Sequence, residues 1–122
     1  MKIRQSAENY LETIYILLQT KENVRSVDIA NELGFSKPSV SVALKSLREN
    51  GYIEVMGDGS IHLLQKGSEV AKSLYERHTV LTNMLRTLGV SEDVASEDAC
   101  KIEHIISEET FEAIKRHYAD KI

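Results

Sequence analysis

Several residue types are scarce in this sequence, and each scarcity excludes a class of protein. Cys100 is the only cysteine among 122 residues, which excludes an intrachain disulfide and a zinc site built from paired cysteines. No apolar run approaches the roughly 20 residues that a membrane-spanning helix needs, and the polar start MKIRQSAENY does not resemble a signal peptide. We therefore expect a cytoplasmic protein that makes no membrane contact.

Basic residues are also outnumbered by acidic ones, 15 to 19. The formal net charge is −4, which argues against broad attraction to nucleic acid, because neutralising phosphates requires lysine and arginine. The deficit is uneven, since residues 1–64 carry 7 basic and 8 acidic side chains whereas residues 65–122 carry 8 and 11. The first half is close to neutral and remains compatible with DNA binding.

The first half has the order of elements of a winged helix-turn-helix. A first amphipathic helix is predicted from Ser6 to about Gln19, a short second helix begins at the N-cap Ser26 and ends at Gly34, and a third runs from the N-cap Ser36 to Asn50. Alternating apolar residues on both sides of Gly57-Asp58-Gly59 then predict a β-hairpin. We assign residues 1–64 to a winged helix-turn-helix DNA-binding domain.

The third helix has two different faces. Val40, Leu44 and Leu47 form its buried stripe, while short polar and basic groups on the other side let the helix approach another surface closely. The predicted DNA contacts on this helix are Lys37, Pro38, Ser39, Ser41, Val42, Lys45 and Ser46. Arg25 and Ser36 are predicted to contact phosphate. The alternative is a winged helix that binds another protein.

Residues 65–122 are predicted to be helical, so the fold is mainly α. A long fourth helix carries apolar residues at helical spacing from Val70 to Leu88, and Ser91 and Ser107 are predicted N-caps of a fifth and a sixth helix. The fifth helix is expected to bury Val94, Ala99, Ile102, Ile105 and Ile106. So much aliphatic surface suits a dimerisation domain, and a two-fold dimer would present two recognition helices to a palindromic DNA site.

Five side chains in these helices are candidate metal ligands. Cys100, Glu103 and His104 have the spacing i, i+3, i+4, which places them on one side of the fifth helix. His78 stands in the apolar stripe of the fourth helix, and Glu12 lies beside the buried face of the first. One shared divalent ion explains these five residues better than five separate coincidences. The alternative is that Glu103 pairs with a lysine, His104 lies at the surface and Cys100 fills the core.

Four segments of the chain resemble the diphtheria toxin repressor family of iron- and manganese-dependent bacterial repressors. They are SAENYLETIY, VDIANELGFSKPSVSVALKSLRENGYIEV, RHTVLTNMLRTLGV and EDACKIEHIIS. The resemblance implies a two-domain form that lacks the SH3-like third domain of longer members. It also implies that a metal ties the first helix to a helical metal-binding and dimerisation domain, residues 65–122.

The resemblance assigns ligand roles residue by residue. Cys100, Glu103 and His104 match ligands of the family's main site, and Glu12 and His78 match ligands of the manganese-type cluster. Asn9, which stands where the family has methionine or aspartate, is the sixth predicted ligand, whereas Thr82 and Ser96 replace ligands of the iron-type ancillary site. Because a thiolate is a soft donor, we expect Cys100 to favour Fe(II), with Mn(II) as the alternative.

These inferences predict a homodimeric repressor with metal as co-repressor. The main alternative is a winged-helix regulator whose effector is not a metal, and a purely structural metal is another. An enzyme is not expected, because five protein ligands leave little room for substrate and no nucleophile–base pair or phosphate loop is evident.

Overall fold

The computed structural model describes residues 5–118, which form six helices and one two-stranded sheet. The elements are α1 Gln5–Leu18, α2 Ser26–Leu33, α3 Lys37–Glu49, β1 Ile53–Val55, β2 Ile61–Leu63, α4 Gln65–Thr87, α5 Glu92–Ile102 and α6 Glu108–Tyr118. The mainly α prediction is confirmed. The chain divides into two compact units, and the boundary between them falls after Lys72, within α4.

The turn between α2 and α3 has the predicted geometry. Gly34 adopts the left-handed conformation, with φ of 70°, and so ends α2. The Ser39 amide donates to the Ser36 hydroxyl oxygen at 3.3 Å, which caps α3, and Pro38 lies in the first turn. The predicted stripe of Val40, Leu44 and Leu47 is buried. These contacts fix the direction in which α3 leaves the turn.

The start of α2 differs from the prediction. Ser26 is the first helical residue and Arg25 is the N-cap. The Arg25 amide donates to a carboxylate oxygen of Asp28 at 2.8 Å, and this hydrogen bond holds the pKa of Asp28 below its usual range. An acid in the first turn therefore caps this helix, and it also suits the positive end of the helix dipole.

The hairpin after α3 is antiparallel and is fastened to the body of the first unit. Ile53 pairs with Leu63, and the Ile61 amide donates to the Val24 carbonyl at 2.7 Å. The core of this unit is built from apolar side chains of α1, α2, α3 and the hairpin, with Ala71 of α4 added. The hairpin is consequently a fixed wing beside α3.

The first turns of α4 belong to the first unit. Gly67 is buried, and a β-carbon placed there would strike the Tyr52 carbonyl oxygen. That carbonyl already accepts a hydrogen bond from the Leu64 amide at 3.0 Å, and the Lys66 ammonium lies 4.2 Å from the centre of the Tyr52 ring. The beginning of α4 is therefore packed directly on backbone.

The second unit has a smaller apolar core, to which α4, α5 and α6 all contribute. Its buried side chains are Leu74, Leu81, Ala95, Ala99 and Phe111. Lys115 of α6 pairs with Glu76 of α4 at 3.1 Å, and this bond raises the pKa of Lys115. No helix within residues 5–118 has the length and apolarity needed to cross a membrane.

Three apolar residues expected in this core are exposed instead. Leu88 is 63% exposed, Val94 is 48% exposed and Ile105 is 75% exposed. Ile105 departs from the prediction because α5 ends at Ile102, so the helical spacing does not continue to it. Leu88 likewise lies one residue beyond the end of α4.

Candidate metal centre and DNA interface

The solvent-facing side of α3, here called the recognition face, carries every residue predicted to contact DNA from this helix. These residues are Lys37, Pro38, Ser39, Ser41, Val42, Lys45 and Ser46, and all of them are exposed. Val42 is 72% exposed, so its side chain is accessible to another surface. Small polar groups, two lysines and one apolar contact suit the surface of a major groove.

Arg25 has a structural role that the sequence pattern did not predict. Its Nε donates to the Asp58 carbonyl at 3.0 Å, and its Nη2 lies 3.8 Å from the Asp58 carboxylate, in the turn of the wing. Asp58 in turn accepts hydrogen bonds from the hydroxyl and amide of Ser60, which lower its pKa. Arg25 thus fixes the wing turn relative to the start of α2. Its phosphate contact, like that of the exposed capping residue Ser36, stays a prediction.

Glu103 is the most unusual polar residue in the structure. Its side chain is fully buried, and neither carboxylate oxygen has a hydrogen-bond partner among the described residues. It lies just beyond the last residue of α5, although its amide still donates to the Ala99 carbonyl at 2.9 Å and its backbone remains helical. Burying an ionised carboxylate without hydrogen bonds is costly unless a cation compensates for it.

Two imidazoles converge on this carboxylate. Oxygen Oε1 of Glu103 lies 3.5 Å from Nδ1 of His78 and 4.0 Å from Nε2 of His104. The His104 side chain is 1% exposed and that of His78 is 26% exposed. The hydroxyl of Ser96 lies 3.4 Å from Nε2 of His78, on the other edge of that ring. Within the second unit, the structure therefore brings together three of the predicted ligands.

Cys100 is placed differently from its predicted neighbours. It lies on α5 but is exposed, whereas Glu103 is fully buried. The spacing i, i+3, i+4 predicted one shared side, but α5 ends at Ile102 and His104 lies in the turn that follows. Its role as a ligand stays a prediction.

The remaining predicted ligands lie on α1 in the first unit. Glu12 is buried, with 7% of its surface exposed, and Asn9 is half-buried. The two residues are three positions apart and so share one helical face. In the second unit, the hydroxyl of Thr82 is buried without a hydrogen-bond partner among the described residues.

The residues of the second unit fit a divalent cation. A carboxylate and two imidazoles are the donor types that bind first-row divalent metals in proteins. The carboxylate without hydrogen bonds is the observation that favours a cation over a lysine pair, because the only basic groups within 4.0 Å of it among the described residues are the two histidines. Glu103 and the two imidazoles beside its carboxylate, His78 and His104, are therefore the candidate donors in this unit.

Comparison with known proteins gives two family matches that together span most of the chain. Residues 2–61 match the family model described as iron dependent repressor, N-terminal DNA binding domain. Residues 64–120 match the model described as iron dependent repressor, metal binding and dimerisation domain.

Individual relatives agree with these matches. The chain is 38% identical over 112 residues to the transcriptional regulator MntR of Escherichia coli O157:H7, an alignment that covers 92% of this chain and 72% of that protein. It is 35% identical over 125 residues to an uncharacterized HTH-type transcriptional regulator of Methanocaldococcus jannaschii, covering 97% of this chain and 98% of that one. The solved structure of the manganese regulator SloR superimposes with a TM-score of 0.80 at 27% identity, covering 98% of this chain and 55% of that chain. The chain thus spans about half the length of this solved relative.

Proposed function

The chain belongs to the iron-dependent repressor family, and we propose that it is a metal-responsive transcriptional repressor that binds palindromic operator DNA as a homodimer. The family consists of DNA-binding regulators, so the expectation that the chain is not an enzyme is confirmed. The observation that carries the proposal is Glu103, a fully buried carboxylate that faces two imidazoles and accepts no hydrogen bond from the described part of the chain. We place the protein in the cytoplasm, where such a repressor meets its operator.

We propose Mn(II) as the effector. The expectation of Fe(II) rested on the thiolate of Cys100, and it is not supported, because Cys100 is exposed and the buried donors are a carboxylate and imidazoles. Carboxylate oxygens suit manganese, a hard cation. The structural relative SloR is a manganese regulator, which favours the same ion.

The switch would operate through the preference of the metal for one conformation. A bound divalent cation would compensate for the negative charge of the buried Glu103 carboxylate. We propose that Glu12 and Asn9 add oxygen donors from α1, so that binding favours the DNA-competent conformation of the protein. The shift in DNA affinity can be no larger than the metal's differential affinity for the two states.

Homodimerisation is proposed from the exposed apolar residues of the second unit. Tyr75, Leu88, Val94 and Ile105 are between 41% and 75% exposed. The matched family domain is a dimerisation domain, and contact with a second copy would remove these apolar side chains from water. A two-fold dimer would present two copies of the recognition face to a palindrome.

The first test is the DNA affinity of the metal-free protein, measured by fluorescence anisotropy under anaerobic, fixed-salt conditions. The duplex is one that the protein selects from a randomised pool. We expect Mn(II) to raise the affinity by about 5- to 150-fold, the usual range for a coupled effector, and by more than Fe(II) does. Cys100→Ala should retain most of this response.

Two outcomes would contradict the proposal. An affinity that neither ion changes would indicate a winged-helix regulator whose effector is not a metal. A metal-free protein that loses its fold or its dimer would indicate a structural metal, which circular dichroism and analytical ultracentrifugation detect.

Lys45→Ala tests the recognition face separately. Because a lysine ammonium is a point charge suited to phosphate, we expect binding to weaken by a similar factor for every duplex, with the salt dependence reduced by about one charge. The measurement compares anisotropy titrations of several duplexes at several salt concentrations. Lys101→Ala, which removes an exposed lysine from α5, is the matched control. A change in the preferred DNA sequence would refute the phosphate role of Lys45.

A further inference from the structure

Arg77 makes four contacts around the turn that follows α5. Its Nη1 donates to the carbonyl oxygens of Glu103 at 3.1 Å and of Ile106 at 3.0 Å. Its Nη2 pairs with the carboxylate of Glu108 at 2.8 Å, and its guanidinium carbon lies 5.3 Å from the centre of the Phe111 ring. The Arg77 side chain is only 14% exposed. One side chain of α4 thus holds both ends of the segment 103–106.

The contacts to carbonyl groups have a clear physical basis. The last carbonyls of a helix have no amide partner within the helix, and a cation near them also interacts favourably with the negative end of the helix dipole. A guanidinium presents several donors in one rigid plane, so it can serve two carbonyls and a carboxylate together. A lysine ammonium has no such planar arrangement.

The same segment carries two of the three ligands proposed in the second unit. The carboxylate of Glu103 has no hydrogen bond to the described residues, so its position depends on the backbone that Arg77 holds at the Glu103 carbonyl. In the sequence, His104 lies between the two residues whose carbonyl groups Arg77 binds. A ligand backbone that is already fixed needs no ordering when the metal arrives, which favours affinity.

We propose that Arg77 is a positioning residue that presets Glu103 and His104 for the metal, an inference that rests on the metal site proposed above. It does not contact the metal itself. Its effect resembles that of outer-shell partners, whose loss commonly weakens metal binding by about 10- to 100-fold.

The neighbouring residue on α4 supplies the matched control. Glu76 pairs with Lys115 of α6 at 3.1 Å, so it joins α4 to the same helix that Glu108 begins, and within residues 5–118 it makes no hydrogen bond or ion pair to the 103–106 turn. Glu76→Gln therefore weakens the α4–α6 connection without releasing the ligands. A role of Arg77 in general stability alone would make the two variants alike.

The experiment measures Mn(II) affinity of the full chain by isothermal titration calorimetry, at a temperature at which circular dichroism shows each variant folded. Arg77→Lys keeps the charge and should bind Mn(II) about 10- to 100-fold more weakly than the unchanged protein. Glu76→Gln should stay within about threefold. Hydrogen exchange of metal-free Arg77→Lys should be faster in residues 103–107 than in the unchanged protein.

The Mn(II) titrations test the proposed function and the positioning role of Arg77 separately. If the unchanged protein does not bind Mn(II), the proposed function fails. If it binds and Arg77→Lys binds equally well, the positioning role fails while the function stands. Should Arg77→Lys not fold, Arg77→Gln, whose planar amide retains part of the donor set, is held to the same criterion, and equal affinity again overturns the role.

Discussion

Glu103→Gln is expected to give a folded protein whose DNA affinity no longer responds to Mn(II). Glutamine has the shape of glutamate, but it removes the negative charge that would bind the cation. We expect Mn(II) binding to weaken by more than about 100-fold, beyond the loss typical of outer-shell residues. The coupled increase in DNA affinity should disappear with it, because an effector that no longer binds cannot shift the equilibrium.

The same substitution has a second effect that distinguishes a ligand from a structural residue. In the metal-free protein, the Glu103 carboxylate is buried without hydrogen bonds among the described residues, so replacing it with a neutral amide removes a cost of desolvation. The melting temperature without metal should therefore be unchanged or higher. Loss of a structural ion pair would lower it instead.

Calorimetric Mn(II) titration, thermal melting with and without Mn(II), and DNA anisotropy together test this result. Glu97→Gln is the control, because Glu97 is an exposed glutamate on α5 and the change in charge is the same. An Mn(II) response like that of the unchanged protein would remove Glu103 from the proposed site.

Gly67→Ala should destabilise the first unit strongly, although alanine is ordinarily the better residue inside a helix by about 1 kcal/mol. The added β-carbon would strike the Tyr52 carbonyl oxygen, and this group is held by the Leu64 amide. Overpacking costs about 1 to 3 kcal/mol in ordinary cores. Backbone yields less readily than a side chain, so we expect a net loss of about 2 kcal/mol or more.

Thermal and urea unfolding measure this loss. For a chain of this size, about 2 kcal/mol corresponds to a fall in melting temperature of roughly 8 °C. Gly57→Ala is the control, since a β-carbon at Gly57 meets nothing within 4 Å. Equal melting temperatures for the two variants would show that α4 shifts freely over Tyr52.

Short-range patterns in the sequence predicted much of the first unit. Ser36 as a cap, Pro38 in the first turn and Gly34 as a stop act through neighbouring backbone, so their effects are visible in a few consecutive letters. The cap of α2 was misplaced at Ser26, because serine is favoured at an N-cap and the competing contribution comes from the Asp28 carboxylate.

The candidate metal centre was predicted only in part. Helical spacing selected Glu103 and His104, but it assumed a helix that in fact ends at Ile102, and it did not reveal that Cys100 is exposed. The residue that fixes the turn, Arg77, is 26 and 29 positions from the carbonyls that it binds. No local pattern indicates a contact of that length.

The exposed apolar residues of the second unit illustrate a different limit. Helical periodicity identifies a side chain that avoids water, but it does not say whether the cover comes from the same chain or from another. Val94 was expected in the core and is 48% exposed. Burial against a second copy would leave the same pattern in the sequence as burial within the chain.

The packing of α4 on Tyr52 has a consequence for truncated gene products. A fragment that stops after residue 64, at the end of the hairpin, would lose Gly67 and Ala71, which lie against the core of the first unit. Apolar side chains of α1 would then be exposed to water, so the fragment would be less stable and more readily proteolysed. A shortened chain that keeps only the first unit would consequently have to extend at least through Ala71, even though that residue belongs to a helix that continues beyond it.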